Sequence, residues 1–134
     1  MGQQEFKKIE EFLISRLTPY CIYIFGSFAK GTSNKDSDID IAYFSEIKVD
    51  NYERFMLAQE LAVILNKNVD LIDLSQATTV FQTQIVSTGE VIYCSDDNRR
   101  MNFEMLTLKM YAKLNEERKE ILKRIYESGD VYEV

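Results

Sequence analysis

Two hydrophobic periodicities alternate along the chain, one typical of amphipathic helices and the other of buried strands. Residues 5–17 repeat apolar positions at helical spacing, and Pro19 ends that predicted helix two residues later. Residues 20–25 (YCIYIF) form an unbroken aromatic and β-branched run that stops at Gly26. Because a strand with one solvated face alternates polar and apolar residues, the unbroken run predicts a central strand covered on both faces.

The same reasoning predicts three more strands and three more helices. Asp50 is a predicted helix N-cap, Asn66 lies near a helix C-terminus, and Gly89 stops a helix. The predicted strands cover 38–44, 68–74 and 90–94, and the predicted helices cover 50–66, 76–88 and 97–128. This order predicts an α/β (α+β) fold with a small mixed sheet of about four strands flanked by helices. Without a linker or repeat, we predict one domain over 1–134, with its core at about 5–95 and a long C-terminal helix.

The composition narrows the chemistry that this domain can perform. The 134 residues carry 16 Lys and Arg against 22 Asp and Glu, a net charge of −6, and no His. The absence of His excludes His-based triads, His-ligated zinc and ribonucleases that depend on an active-site His. The acidic balance argues against a protein whose main function is to bind nucleic acid, and it is compatible with a nucleotide accompanied by a divalent cation.

Cysteine placement and the lack of long apolar runs indicate a cytoplasmic protein. Cys21 and Cys94 lie in apolar runs without CxxC spacing, so we expect two buried thiols. Residues 1–5 lack the basic and apolar segments of a signal peptide, and no run of about 18 apolar residues predicts a membrane span.

Charge is distributed unevenly along the chain. Residues 1–96 hold 8 basic and 14 acidic side chains, whereas residues 97–124 hold 8 basic and 5 acidic ones. The predicted C-terminal helix carries an apolar stripe formed by Met101, Met105, Leu108 and Ala112. Since a helix of this length has more surface than a small domain can cover, its far half is either a partner-binding face or a solvated, charged helix.

One motif carries most of the chemical information: Gly26-Ser27, ten residues, then Asp38-Ile39-Asp40. A strand that ends in Gly-Ser presents backbone N–H groups, a hydroxyl donor and room for close approach, which suits a triphosphate. Because side chains alternate along a strand, Asp38 and Asp40 lie on the same face. Two neighbouring carboxylates resist joint ionisation unless a cation lies between them, and such hard oxygen ligands favour Mg²⁺.

A third carboxylate near the acceptor hydroxyl would complete a two-metal site for in-line displacement. Asp70 and Asp73 both lie in the third predicted strand and, at an odd separation, point to opposite faces, so only one of them can join the metal face. We favour Asp70, because a carboxylate in the body of a strand is costly unless it is used or paired. Asp73 lies at the strand end, where a cap would satisfy it; spacing alone leaves the choice open.

These segments together resemble the nucleotidyltransferases of the DNA polymerase β superfamily, and most closely the minimal nucleotidyltransferase (MNT) family. The resemblance extends over YIFGSFAKGTSNKDSDIDIAYF (23–44), NVDLIDL (68–74) and the predicted helix and strand within 76–94. It implies the polymerase β-like nucleotidyltransferase fold, two Mg²⁺ ions and ATP as the donor. It also implies a role for each matching position, namely Asp38, Asp40 and Asp70 as catalytic metal-site carboxylates and Gly26 with Ser27 as the triphosphate-gripping turn.

Lys30 departs from the family pattern. It stands where many relatives have Arg, so the phosphate contact implied for it would be made by a point charge in place of a bidentate fork.

The MNT resemblance implies an antitoxin that pairs with a HEPN-family toxin, some members of which transfer AMP from ATP to a toxin tyrosine. The missing His fits the antitoxin side, because HEPN ribonucleases resemble one another in an Arg-x4-6-His motif. We expect a protein adenylyltransferase that binds ATP and a cognate toxin, with oligomer formation through the C-terminal helix as a further possibility. Two alternatives stay open: an antitoxin that neutralises by binding alone, and an aminoglycoside-type small-molecule transferase.

Overall fold

The structure is a computed structural model that describes residues 2–30 and 38–128, without the side chains of Phe28 and Lys30. Its helices and strands follow the predicted order, with a short additional helix after the first strand. They are α1 (Gln3–Leu17), β1 (Cys21–Phe25), α2 (Ser27–Lys30), β2 (Ile39–Phe44), α3 (Asn51–Leu65), β3 (Val69–Asp73), α4 (Thr79–Thr88), β4 (Glu90–Cys94) and α5 (Asp97–Ser128).

Within the described residues, the strands form one mixed sheet in the order β3-β2-β1-β4. β1 pairs antiparallel with β2 and β4, and β2 pairs parallel with β3 through the α3 crossover. Every residue of β1 is buried, which confirms the prediction of a central strand. β3 is an edge strand, so one side of its backbone has no sheet partner among the residues that the structure describes.

Helices cover both faces of the sheet because β1 and β2 present apolar side chains on each face. One core contains Ile9 and Leu13 of α1, Leu61 of α3, and Ile39 and Ile41 of β2. The other lies under α4 and α5 and is formed by Cys21, Tyr23, Phe25, Ala42, Leu74 and Ile85. A fully buried side chain of this size contributes about 1.5 to 3 kcal/mol. Burial on both faces therefore holds β2, and the carboxylate it carries, in a fixed position.

Most predicted helix ends are confirmed. Asp50 caps α3 by accepting a hydrogen bond from the Glu53 N–H at 2.7 Å, and Asn66 ends that helix with a φ of 53°. The predicted helix 76–88 instead begins at Thr79, because Asp73 caps a separate 3-10 turn over Leu74–Gln76.

One expectation about side-chain burial was wrong, and the sequence pattern leaves the packing of α5 open. Cys21 is buried, but Cys94 is only half-buried because it lies on the edge strand β4. The apolar stripe of α5 is exposed at Met101, Met105 and Leu108, whereas the helix packs inward through Thr107 and the half-buried Phe103. In the described ranges, no helix is long and apolar enough to cross a membrane.

Candidate active site

The turn between β1 and α2 brings Gly26 against the carboxylate of Asp40. Gly26 has a φ of +71°, a conformation that L side chains rarely adopt. A Cβ atom added to it would lie 2.1 Å from Asp40 Oδ2. The antiparallel register explains the contact, since Phe25, the residue before Gly26, pairs with Asp40. Glycine is therefore required here by both conformation and space, and Ser27 follows as the first residue of α2.

Strand register brings a second carboxylate to Asp40. The parallel pairing of β2 and β3 places Asp70 directly opposite Asp40, so the two side chains share one face of the sheet. Asp38 comes immediately before β2 and is exposed, while Asp40 is half-buried. The structure therefore brings Gly26, Asp40 and Asp70 together, with Asp38 at the rim.

The environment of Asp40 raises the pKa of its carboxyl group. Burial raises the pKa of Asp40 to about 6, and a side-chain hydrogen bond with Asp70 and the charges of Asp70 and Asp38 act in the same direction. This is the behaviour expected of carboxylates that share a site without a compensating cation.

Asp73 lies on the opposite face from these carboxylates. It pairs in register with Tyr43 and is only 3% exposed. Its Oδ1 accepts hydrogen bonds from the Ser75 N–H at 3.0 Å and the Ser75 hydroxyl at 2.7 Å. Asp73 therefore caps the turn after β3, and of the two candidates in this strand only Asp70 faces Asp40.

The carboxylates of the candidate site suit Mg²⁺ better than a metal ion that takes all its ligands from the protein. Within residues 2–30 and 38–128, no three carboxylate, thiol or imidazole groups converge as a ready-made metal site. Mg²⁺ usually takes one or two carboxylates and completes its shell with phosphate oxygens and water. A half-buried carboxylate whose pKa is raised by burial and by neighbouring like charges matches that requirement, because a divalent cation would remove the repulsion.

One predicted site residue falls outside what the structure describes. Lys30 is the last residue of α2, but its side chain is not among the described ones. Its predicted contact with phosphate stays a prediction.

Comparisons with known proteins find similar sequences and similar solved structures. The sequence profile of the family Polymerase beta, Nucleotidyltransferase matches residues 7–98. The chain is 41% identical over 101 residues to Protein adenylyltransferase MntA of Shewanella oneidensis, a match that spans 75% of this chain and 72% of that protein.

Solved structures extend the similarity to almost the whole chain. A crystal structure of a toxin-antitoxin with AMP-PNP contains a similar chain with 36% identity and a TM-score of 0.79, covering 90% of this chain and 98% of that one. A structure of tri-AMPylated Shewanella oneidensis HEPN toxin in complex with MNT antitoxin matches with 34% identity and a TM-score of 0.78, covering 94% and 99%. Both matches span the long C-terminal helix as well as the sheet.

Proposed function

This chain belongs to the polymerase beta nucleotidyltransferase family, and we propose that it is an antitoxin that transfers AMP from ATP to a tyrosine of a cognate HEPN toxin. The modification neutralises the toxin. The observation that carries the proposal is the convergence of Gly26, Asp40 and Asp70 at one end of the sheet.

The similar proteins support ATP as the donor, AMP transfer as the reaction and a HEPN toxin as the acceptor. The MntA relative is named a protein adenylyltransferase, and similar chains occur with AMP-PNP and with an AMPylated HEPN toxin. This chain covers 98–99% of those two structural matches. The printed activity of the relatives on a protein supports a protein acceptor over the small molecule of an aminoglycoside-type transferase.

In the proposed reaction, the site residues bind metal, contact phosphate or act on the acceptor, and Asp70 has two of these roles. Asp38 and Asp40, joined by Asp70, would hold two Mg²⁺ ions, which would supply charge neutralisation for the triphosphate. The Gly26 turn has no side chain, so phosphate oxygens can approach the backbone there. Ser27 and Lys30 are proposed to contact the phosphates.

Asp70 is proposed to act on the acceptor. Its carboxylate oxygen takes the proton of the tyrosine hydroxyl as the phenolic oxygen attacks the α-phosphorus of ATP. The new bond joins tyrosine oxygen to phosphorus, the bond between the α-phosphorus and the bridging oxygen breaks, and pyrophosphate leaves. Since ATP is the donor and both thiols are free, we expect the reaction in the cytoplasm.

Neutralisation by binding alone is a second candidate, favoured by the surface of α5. Met101, Met105, Leu106 and Leu108 are each about half exposed or more. A contiguous apolar helix face of this kind is typical of a protein interaction surface. We expect a partner or a second copy of the chain to bind there whether or not AMP is transferred.

The test uses ATP labelled at the α-phosphate, Mg²⁺ and a purified HEPN toxin as the candidate acceptor. Wild type should transfer label to toxin, whereas the double variant Asp38→Ala, Asp40→Ala should leave it at background. Glu11→Gln is the matched control, because it removes an exposed carboxylate from α1 on the other side of the sheet. Equal labelling by wild type and the double variant would contradict the proposal.

Removing the antitoxin distinguishes covalent neutralisation from binding. Toxin treated with wild type and ATP, then purified free of this chain, should stay inactive. Recovery of toxin activity after that purification would support binding alone.

A further inference from the structure

A groove of about 440 Å³ runs between α3 and the free edge of β3. Two of the site residues, Asp38 and Asp70, are among its lining residues. The Asp70 side chain shares the sheet face of Asp40, whereas α3 packs on the opposite face. From α3, Arg54, Phe55 and Gln59 also line it. We call this feature the α3–β3 groove; the motifs that identified the active site contain none of its α3 residues.

The α3–β3 groove lies at the outer edge of the site, along β3. Gly26 contacts Asp40 from β1, and Asp70 lies on the other side of Asp40, one strand further out. A triphosphate held by the Gly26 turn therefore lies on the inner side of the carboxylates. The groove opens along the outer edge of the sheet, where β3 lies between the α3 wall and the carboxylate that is proposed to take the acceptor proton.

The walls of the groove suit a peptide segment. The floor is apolar, since Ala58, Val69 and Leu71 line it and are buried. Phe55 is 58% exposed although it is a large aromatic residue. An exposed aromatic ring beside a concave apolar floor is a frequent anchor for another aromatic side chain.

The edge of β3 also offers hydrogen-bonding groups for a peptide backbone. The Asn68 carbonyl accepts from the Ile39 N–H at 2.9 Å, so residue 68 bonds toward β2. Because a parallel pair uses alternate residues of each strand, the N–H and C=O of Val69 and Leu71 point away from β2 and toward the groove. Unpaired edge groups of this kind commonly bind segments of another chain.

We propose that the α3–β3 groove is the acceptor subsite, which holds the toxin segment bearing the tyrosine, with Phe55 and Gln59 as its recognition residues. The inference rests on the proposed function, because it takes a protein tyrosine as the acceptor. The backbone of the segment bonds to the edge of β3, so its successive side chains alternate between the two faces of the sheet. The tyrosine hydroxyl reaches Asp70 on one face, and a neighbouring side chain of the segment packs against Phe55 on the α3 face.

Steady-state kinetics test the recognition role. Phe55→Ala should raise the KM for toxin by about tenfold, the usual effect of truncating an aromatic anchor, and leave the KM for ATP and kcat within about twofold. Gln59→Ala should act in the same direction. Val63→Ala is the matched control, since Val63 is 82% exposed on the same helix and does not line the groove. An unchanged toxin KM in the Phe55 and Gln59 variants would overturn the proposal.

A photo-crosslink separates failure of this inference from failure of the proposed function. With p-benzoylphenylalanine in place of Phe55, irradiation of the complex should attach the toxin peptide that contains the AMP-accepting tyrosine. If no AMP is transferred but the crosslink forms on a tyrosine-bearing toxin peptide, the groove proposal stands and the catalytic one falls. If AMP is transferred and position 55 crosslinks to no toxin peptide, or to one without that tyrosine, the groove proposal is wrong.

Discussion

Gly26 and Asp40 are so close that a Cβ atom on Gly26 would stand 2.1 Å from the Oδ2 atom of Asp40. The two residues come from neighbouring strands that pair at Phe25 and Asp40. The turn proposed to receive phosphate and the carboxylate proposed to bind metal therefore form one packed unit. A change in either is transmitted directly to the other.

Gly26→Ala should abolish most of the transferase activity. The new methyl group would collide with Asp40 and force a side chain into a φ of +71°, which costs about 1 to 2 kcal/mol. Because displacement of a reacting group by about 1 Å can cost about 100-fold, we expect a fall in kcat/KM of at least that size. Gly2→Ala, at an extended φ of −94°, is the control. Full activity in Gly26→Ala would show that the contact is unimportant.

Asp70→Asn should mainly lower the rate of AMP transfer, whereas Asp73→Ala should mainly lower the free energy of unfolding. Asp70→Asn removes the proposed proton acceptor, so transfer should fall by about 100-fold or more while Mg·ATP binding changes little. Asp73→Ala removes a turn cap, so it should lower the free energy of unfolding by about 1 kcal/mol and leave kcat of the folded protein unchanged. Transfer rates and urea denaturation measure the two effects. Loss of kcat in Asp73→Ala with normal transfer by Asp70→Asn would reverse the assignment.

The metal-free protein should lose stability from Asp40 as the pH rises from about 4 to 6. The pKa of Asp40 is raised to about 6 in the folded state, so the folded protein holds a proton that the unfolded chain releases. This contribution is complete below pH 4 and is lost as the pH rises through 6. With allowance for solvent screening, Asp40→Asn should be more stable than wild type above pH 6 by about 1 to 2 kcal/mol.

Thermal melts in EDTA at pH 4 to 8 check this prediction. The difference in Tm between Asp40→Asn and wild type should appear only above pH 4 and reach a plateau above pH 6. Glu11→Gln controls for general loss of negative charge. A variant that is less stable than wild type at pH 8 would contradict the sign.

The hydrogen bond between Tyr23 of β1 and Glu104 of α5 should stabilise the packing of α5 on the sheet. The fully buried Tyr23 hydroxyl donates to Glu104 Oε1 at 2.7 Å, and Arg100 contacts the same oxygen at 3.1 Å. Burial, aided by the nearby Cys21 and Glu104, raises the pKa of Tyr23, so the hydroxyl stays protonated as a donor. Glu104→Ala should lower the free energy of unfolding by about 1 to 3 kcal/mol.

A double-mutant cycle with Tyr23→Phe isolates the hydrogen bond. Urea denaturation should give a coupling energy of about 1 kcal/mol between the two positions. Glu116→Ala, on the exposed far part of α5, should be neutral. Additive effects of Tyr23→Phe and Glu104→Ala would show that the contact does not hold the helix.

Most elements follow from local patterns, but the packing of α5 does not. Hydrophobic periodicity correctly places this helix, because a 3.6-residue repeat depends only on the order of residues. The apolar stripe that it identifies includes Met101 and Met105, which are exposed. The inward face is formed by Phe103, Glu104 and Thr107. Glu104 is a polar residue held by the buried Tyr23, so it adds nothing to the hydrophobic periodicity. The periodicity therefore does not identify the inward face of α5.

The sequence alone determined that Asp38 and Asp40 share a face and that Asp70 and Asp73 do not, because side chains alternate along any strand. Only the tertiary structure decided that Asp70 faces Asp40, since that depends on the register between β2 and β3. The contact of Gly26 with Asp40 and the α3–β3 groove depend on the same packing. Strands distant in the chain meet through the burial of shared cores, and that meeting brings Gly26, Asp40 and Asp70 together in one candidate site.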